Sequence, residues 1–227
     1  SKEFADRRRR DIDPDRAATK VEAGPLAAPV AGDGNTSYFC VIDGEGNAVS
    51  FIHSLSSGFT GSFVAGSTGV LMNNRLGRGF SLVEGHPNVI EPGKRTMHTL
   101  NAYMIFNDDK PYMIGGTPGG DRQPQWNVQV ITSVIDYGMD VMEALGSPKW
   151  VSIPGTDPAT IDDPMTLEVG HGMEPGEVEK LRAKGHALTE LAEGAPAGSS
   201  KLIMVDPDTG VRLGGVDPRS DGQAAIV

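Results

Sequence analysis

The sequence has one cysteine, Cys40, and few aromatic residues, 6% of 227 positions. A single thiol excludes an internal disulfide and a CxxC metal site. Cys40 sits in an apolar run and reads as a small buried hydrophobe. No apolar stretch reaches the roughly 20 residues of a membrane helix, so no membrane partner is expected. Positive charge is in deficit: 20 Lys and Arg stand against 30 Asp and Glu, a formal net charge of -10. Such a surface repels phosphate backbones, and nucleic acid is not an expected partner. The one basic run, Arg7 to Arg10, is flanked by Asp6 and Asp11 and reads as a solvated helix face with local ion pairs. No signal peptide follows Ser1, which need not be the native start. The expected compartment leans to the cytoplasm over the periplasm.

Familiar catalytic signatures are missing as well. There is no GxSxG elbow, no HExxH, no P-loop and no GxGxxG. His53, His86, His98, His171 and His186 are scattered, and none is spaced as a zinc pair on a helix. The acidic residues are too dispersed to nominate a carboxylate pair. No metal site is expected.

What the chain has in quantity is Gly (30) and Pro (16), beside 38% hydrophobic residues. That mix predicts many turns and short strands in one domain with a real core. Residues 1–35 differ from the rest. Positions 1–20 are highly charged and read as a helix, and 21–34, rich in Ala, Pro and Gly, read as a linker or extended arm. A boundary near Asn35 follows from composition.

Strand patterns come next. Residues 37–42 and 48–55, across the turn cluster 43–47, predict a β-hairpin. A short strand is expected over 69–74 and a long segment of little periodicity over 75–95. A second hairpin pairs 103–106 with 112–114. From Pro124 the period becomes helical: Val128, Ile131, Val134 and Ile135 share a face, and Val141, Met142 and Leu145 continue it. A shorter helix is expected over 177–184, and a last hairpin pairs 202–205 with 211–213. No internal repeat is present. These elements predict an α+β or sandwich fold with antiparallel sheets.

Two features carry chemistry. The run Gly-Gly-Thr-Pro-Gly-Gly at 115–120 follows a strand and precedes a helix. It is either a tight strand-to-helix turn or a cradle whose free N–H groups hold an anion or a developing oxyanion. Thr36, which opens a strand, is either an ordinary β-former or a nucleophile. The second role requires a free α-amino group on Thr36 to take the hydroxyl proton.

The ordered set Thr36, Asp-Gly-Glu-Gly-Asn-Ala-Val-Ser at 43–50, Ser54, Phe-Thr-Gly-Ser at 59–62, Gly-Val-Leu-Met-Asn-Asn at 69–74, Pro-Gly-Lys-Arg at 92–95, 115–120 and Asp-Pro-Arg-Ser-Asp-Gly at 217–222 resembles the small subunit of γ-glutamyltranspeptidases. The resemblance covers most of 36–227. It implies an N-terminal-nucleophile hydrolase: a four-layer αββα sandwich with antiparallel sheets, completed by the large subunit of the same precursor. This chain by itself should then leave a sheet edge and an apolar face uncovered. The resemblance further implies autocatalytic cleavage of a zymogen at Asn35–Thr36. Residues 1–35 would be the tail of the large subunit and 36–227 the catalytic small subunit.

The roles implied are specific. Thr36 attacks an amide carbonyl with its own α-amine as base. Ser54 orients Thr36, and the N–H groups of Gly119 and Gly120 form the oxyanion hole. The acyl-enzyme passes to water or an amine acceptor, with no metal or organic cofactor. The substrate would be a γ-glutamyl amide or a related small acyl amide, and a higher homo-oligomer is left open. The alternative is a catalytically silent relative serving as a binding subunit.

The chain departs from the family's substrate pocket. Asn74 is followed by Arg75, Leu76, Gly77 and Arg78 where the family places acidic residues for the substrate ammonium. His98 and Thr99 replace a Ser pair that binds the α-carboxylate, and Ser56 stands where an Asn often contacts substrate. These changes point to the branch with cephalosporin-acylase-like and oxamate-amidohydrolase-like enzymes. They suggest an acyl part with a carboxylate but no α-ammonium. Arg75 or Arg78 would pair with that carboxylate, or both face solvent and the missing subunit completes the pocket.

Overall fold

Side-chain alternation builds the first element of the structure, a computed structural model that describes residues 2, 6, 9–10, 12–18, 36–56, 63–155, 163–195 and 197–226. Strands β1 (Thr36–Ile42) and β2 (Ala48–Ser54) pair antiparallel, with Thr36 opposite Ser54. Asp43 closes the turn, its carboxylate accepting the N–H groups of Glu45 and Asn47. Along both strands every second residue turns inward, Tyr38 most deeply.

The hairpin packs on a four-stranded antiparallel sheet of order β3-β4-β8-β9. Its strands are β3 (Tyr103–Asn107), β4 (Lys110–Gly116), β8 (Lys201–Val205) and β9 (Arg212–Val216). Gly116 allows the contact: a Cβ there would lie 2.6 Å from the Tyr38 ring. On the opposite face lie helices α2 (Gln123–Ile135) and α3 (Val141–Gly146). Met113, Val130, Val134, Val141, Ala144, Leu145 and Leu202 form the core between them. Gly215 lets α3 sit directly on β9, since a Cβ there would come within 2.6 Å of Val141.

The layers are thus helix, sheet and hairpin, and the hairpin's outer face is open. Phe39, Val41, Val49 and Phe51 remain about half exposed, with the two Phe rings 5.1 Å apart. Among the described residues the hairpin's outer face is apolar and uncovered, as expected. Among the described residues, no helix is long and apolar enough to cross a membrane.

A three-stranded sheet joins β5 (Trp150–Ile153), β6 (Thr166–Val169) and β7 (Leu188–Glu190). β6 and β7 run parallel, with helix α4 (Pro175–Ala183) in the crossover. Beside the expected antiparallel pairing this one pair is parallel, because a helical crossover returns the chain in the same direction. Strands of three and four residues are too short to show a period in sequence.

Several expectations are corrected. Lys2, Asp6 and Arg9 are helical, but 12–18 are not; Pro14 ends the pattern, and Asp13 accepts the N–H of Asp15 at 2.9 Å. Over 69–74 there is one isolated bridge, Val64 with Leu71. Within 75–95 a short helix, α1 (Arg75–Gly79), forms. The inward face of α2 is Gln123, Trp126, Asn127, Val130 and Val134, whereas Val128 and Ile135 are about half exposed. The helical period does not run on to 145: α3 is separate, started by a capping box between Asp140 and Glu143. The helix expected over 177–184 starts two residues earlier, at Pro175, a favoured first helical residue. Cys40 is only half-buried.

Buried charge fastens the C-terminal motif at 217–222. Asp217, 0% exposed, takes a two-point pairing from Arg219 at 2.8 Å and an ammonium contact from Lys149 at 3.0 Å. Both cations also donate to the Leu145 carbonyl at the end of α3. Burial works against the Asp217 anion, but Arg219 and Lys149 outweigh it and hold the carboxyl below the usual range. This motif is a clasp on the core and not part of the site.

Candidate active site

Strand pairing creates the central contact. Because Thr36 and Ser54 are opposite residues on one inward face, their hydroxyls meet, Thr36 Oγ1 to Ser54 Oγ at 2.9 Å. Either hydroxyl can be the donor. Ser54 Oγ also accepts the Ser56 N–H at 3.0 Å. Ser56 holds a left-handed backbone, φ 78°, with its side chain buried. A non-glycine residue there stores strain of about 1–3 kcal/mol. Its Oγ has no hydrogen-bond partner among the described residues. Along the same strand, burial pushes the Cys40 thiol above its ordinary range.

The glycine turn lies at the end of β4. Tyr38 shares Thr36's face of β1 and covers Gly116, just ahead of that turn. Gly119 and Gly120 have φ 142° and 57°, and a 3-10 turn then leads into α2. A Cβ at Gly119 would lie 2.5 Å from the Trp126 ring, so both conformation and space require glycine. Neither N–H donates to an acceptor among the described residues. Two free amides at a helix entry suit a developing negative charge.

The predicted substrate contacts divide. Asn74 N–H donates to the Leu55 carbonyl at 3.0 Å, which draws its loop to the end of β2. Arg75 is half-buried, and its Nη2 donates to Thr99 Oγ1 at 3.1 Å. Arg75 and Thr99 are therefore brought together, and Arg75 does not simply face solvent. His98 is exposed, and its Nδ1 accepts the Leu100 N–H at 3.2 Å. The backbone of Arg78 lies in α1; its side chain, Asn35 and residues 57–62 lie outside what the structure describes.

Beside Gly120 opens a cavity of about 580 Å³. One wall is the strap 97–101, the other the end of β5 with Pro154 and Gly155, and the floor is the first turn of α2. Sequence reading missed how α2 holds these walls. Gln125 pairs with both backbone groups of Ser152 at 2.8 and 3.0 Å, and Gln129 does the same to Trp150 at 2.9 and 2.8 Å. The signal was present as amide side chains four residues apart in a helix.

A hairpin against a four-stranded sheet backed by helices, with a Thr–Ser hydroxyl pair at its first rung, defines the fold as that of the N-terminal-nucleophile hydrolases. A family model described as gamma-glutamyltranspeptidase matches residues 1–227. The chain belongs to the γ-glutamyltranspeptidase family. It is 40% identical over 207 residues to a glutathione hydrolase-like proenzyme of Bacillus subtilis, covering 89% of this chain and 38% of that protein. It is 32% identical to the oxamate amidohydrolase proenzyme of Klebsiella pneumoniae, covering 98% of this chain and 43% of that protein. The crystal structure of cephalosporin acylase from Bacillus halodurans superposes with a TM-score of 0.80 at 33% identity, over 99% of this chain and 38% of that one. The chain thus spans about two fifths of the length of these relatives.

Proposed function

We propose that the full protein is a self-processing amide hydrolase or acyltransferase in which Thr36 is the nucleophile. The observation that carries this is the 2.9 Å contact between the Thr36 and Ser54 hydroxyls. The precursor bond is Asn35–Thr36: Thr36 Oγ attacks the Asn35 carbonyl, the acyl group shifts from nitrogen to oxygen, and water hydrolyses the ester. The products are an Asn35 carboxylate and a free Thr36 α-amine, which leaves 1–35 as the large-subunit tail and 36–227 as the small subunit. An α-amine titrates near pH ~8, close to working pH, and serves as base for the next attack. The Gly119 and Gly120 amides then stabilise the oxyanion, each by about 3–4 kcal/mol. The acyl group leaves to water or an amine.

The large subunit of the same precursor is the partner that covers the hairpin's outer face; the proenzyme names of the Bacillus and Klebsiella relatives support this. The substrate is an amide whose acyl part carries a carboxylate and no α-ammonium. Arg75 stands where an ammonium site would need an anion, and its guanidinium suits a carboxylate. Likeness to an oxamate amidohydrolase and a cephalosporin acylase supports that choice, since oxamate has a carboxylate and no ammonium.

The test is the intact mass and N-terminal sequence of the purified full precursor. Two fragments, one starting Thr-Ser-Tyr-Phe, are expected, and Thr36→Ala is expected to stay in one piece and show no turnover. A wild type that remains uncut would turn the reading toward a silent binding subunit. For the substrate, glutaryl p-nitroanilide is expected to outpace the γ-glutamyl compound; the reverse order would sink the carboxylate-only pocket.

A further inference from the structure

Buried polar side chains must be hydrogen-bonded or they destabilise the fold. Helix α2 buries two amides one turn apart, Gln123 and Asn127, at 0% and 3% exposure. Both grip the same residue. Gln123 Oε1 accepts the Asn101 N–H at 2.9 Å. Asn127 Nδ2 donates to the Asn101 carbonyl at 2.7 Å and to its side-chain Oδ1 at 2.8 Å. Backbone and side chain of Asn101 are fixed together.

Asn101 ends the strap that forms one wall of the cavity beside Gly120. The strap joins no strand ladder, so side-chain bonds must place it. At one end is the clamp from α2; in the middle Thr99 accepts from Arg75. Helix α2 itself follows directly on the Gly119–Gly120 turn. The clamp therefore joins that turn to the strap through two buried side chains.

We propose that Gln123 and Asn127 are positioning residues that set the strap, with Thr99 and Arg75, against the Gly119–Gly120 turn. This rests on the reading of Thr36 as nucleophile and of Arg75 as the carboxylate's partner. Two amides, and not apolar packing, then fix the cavity's width and its fit to the substrate's carboxylate half. Releasing the clamp leaves Thr36, Ser54 and the glycine turn in place. Binding weakens while the reaction of bound substrate persists, so KM rises and kcat holds.

The experiment compares Asn127→Ala with Val134→Ala in the processed full-length enzyme. The probe is whichever of glutaryl or γ-glutamyl p-nitroanilide the wild type turns over. Val134 packs the far end of α2 into the core, away from the strap, and serves as the control for general loosening of the helix. Asn127→Ala is expected to raise KM roughly tenfold with kcat within about threefold, and Val134→Ala to leave both within about twofold. Equal KM values in the two variants, or a fall in kcat at unchanged KM for Asn127→Ala, would overturn the proposal. If Asn127→Ala does not accumulate, Asn127→Ser, which keeps one donor, takes its place with the same criteria. A wild type that neither cleaves nor turns over either anilide sinks the nucleophile reading; an active wild type with an unaffected Asn127 variant sinks only the clamp.

Discussion

The four-stranded half and the three-stranded half of this chain are joined to helix α2 by different means. In the first, Met113, Val130, Leu145 and Leu202 pack between sheet and helices with almost no exposure. In the second, Gln125 and Gln129 mimic a neighbouring strand along the edge of β5, each pairing with one residue's N–H and carbonyl. Apolar packing is non-directional and tolerates small displacements, whereas amide pairing fixes position. The cavity wall is built by the second method, which places directional contacts beside the candidate site.

The largest effect is expected where Asp217, Arg219 and Lys149 bring buried charge into the four-stranded half. Asp217→Ala leaves Lys149 without its buried counter-charge and is expected to destabilise by about 3–5 kcal/mol, read from urea unfolding of the full protein. The sign with pH follows from the lowered Asp217 pKa. Its stabilisation is present above the unfolded carboxyl value, roughly 3.9, and is lost as pH falls through the folded value. Wild-type stability should drop in that acid window, and Asp217→Asn should flatten the drop.

Next in size is Leu145→Ala, which opens a cavity under β9 and is expected to cost about 2–5 kcal/mol while leaving KM unchanged. A matching change in KM would show that the two halves are not independent. The smallest effect is expected from Gln125→Ala, about 1–2 kcal/mol, felt locally as faster hydrogen exchange at the Ser152 amide. Uniformly faster exchange across β4 and β8 would mean that the amide pairing supports the whole fold.

Much of the first half was legible in the sequence. The hairpins around 43–47, 107–110 and 206–210 have clear turn residues between β-formers, and all three formed. The helix from Pro124 was legible, yet neither its end nor its face was. Val128, Ile131, Val134 and Ile135 read as one face, but Val128 and Ile135 are about half exposed, and Gln123 and Asn127, which that pattern passes over, are buried. An inward polar face is satisfied by partners distant in sequence, and no periodicity reports them. The sheet of β5, β6 and β7 was illegible for a related reason: its members are too short to show alternation, and pairing alone makes them strands.

By itself the sequence determined the hairpin signals, the required glycines at 119 and 120, and the order of motifs that marks the family. Each depends on residues close together in the chain, where local sterics and side-chain alternation decide. Tertiary structure alone decided that Arg75 meets Thr99, that Asn101 is gripped from α2, and that Asp217 clasps the end of α3. Those contacts join residues far apart in sequence. They depend on hydrogen bonds whose partners are brought within reach only when the sheets and helices have packed.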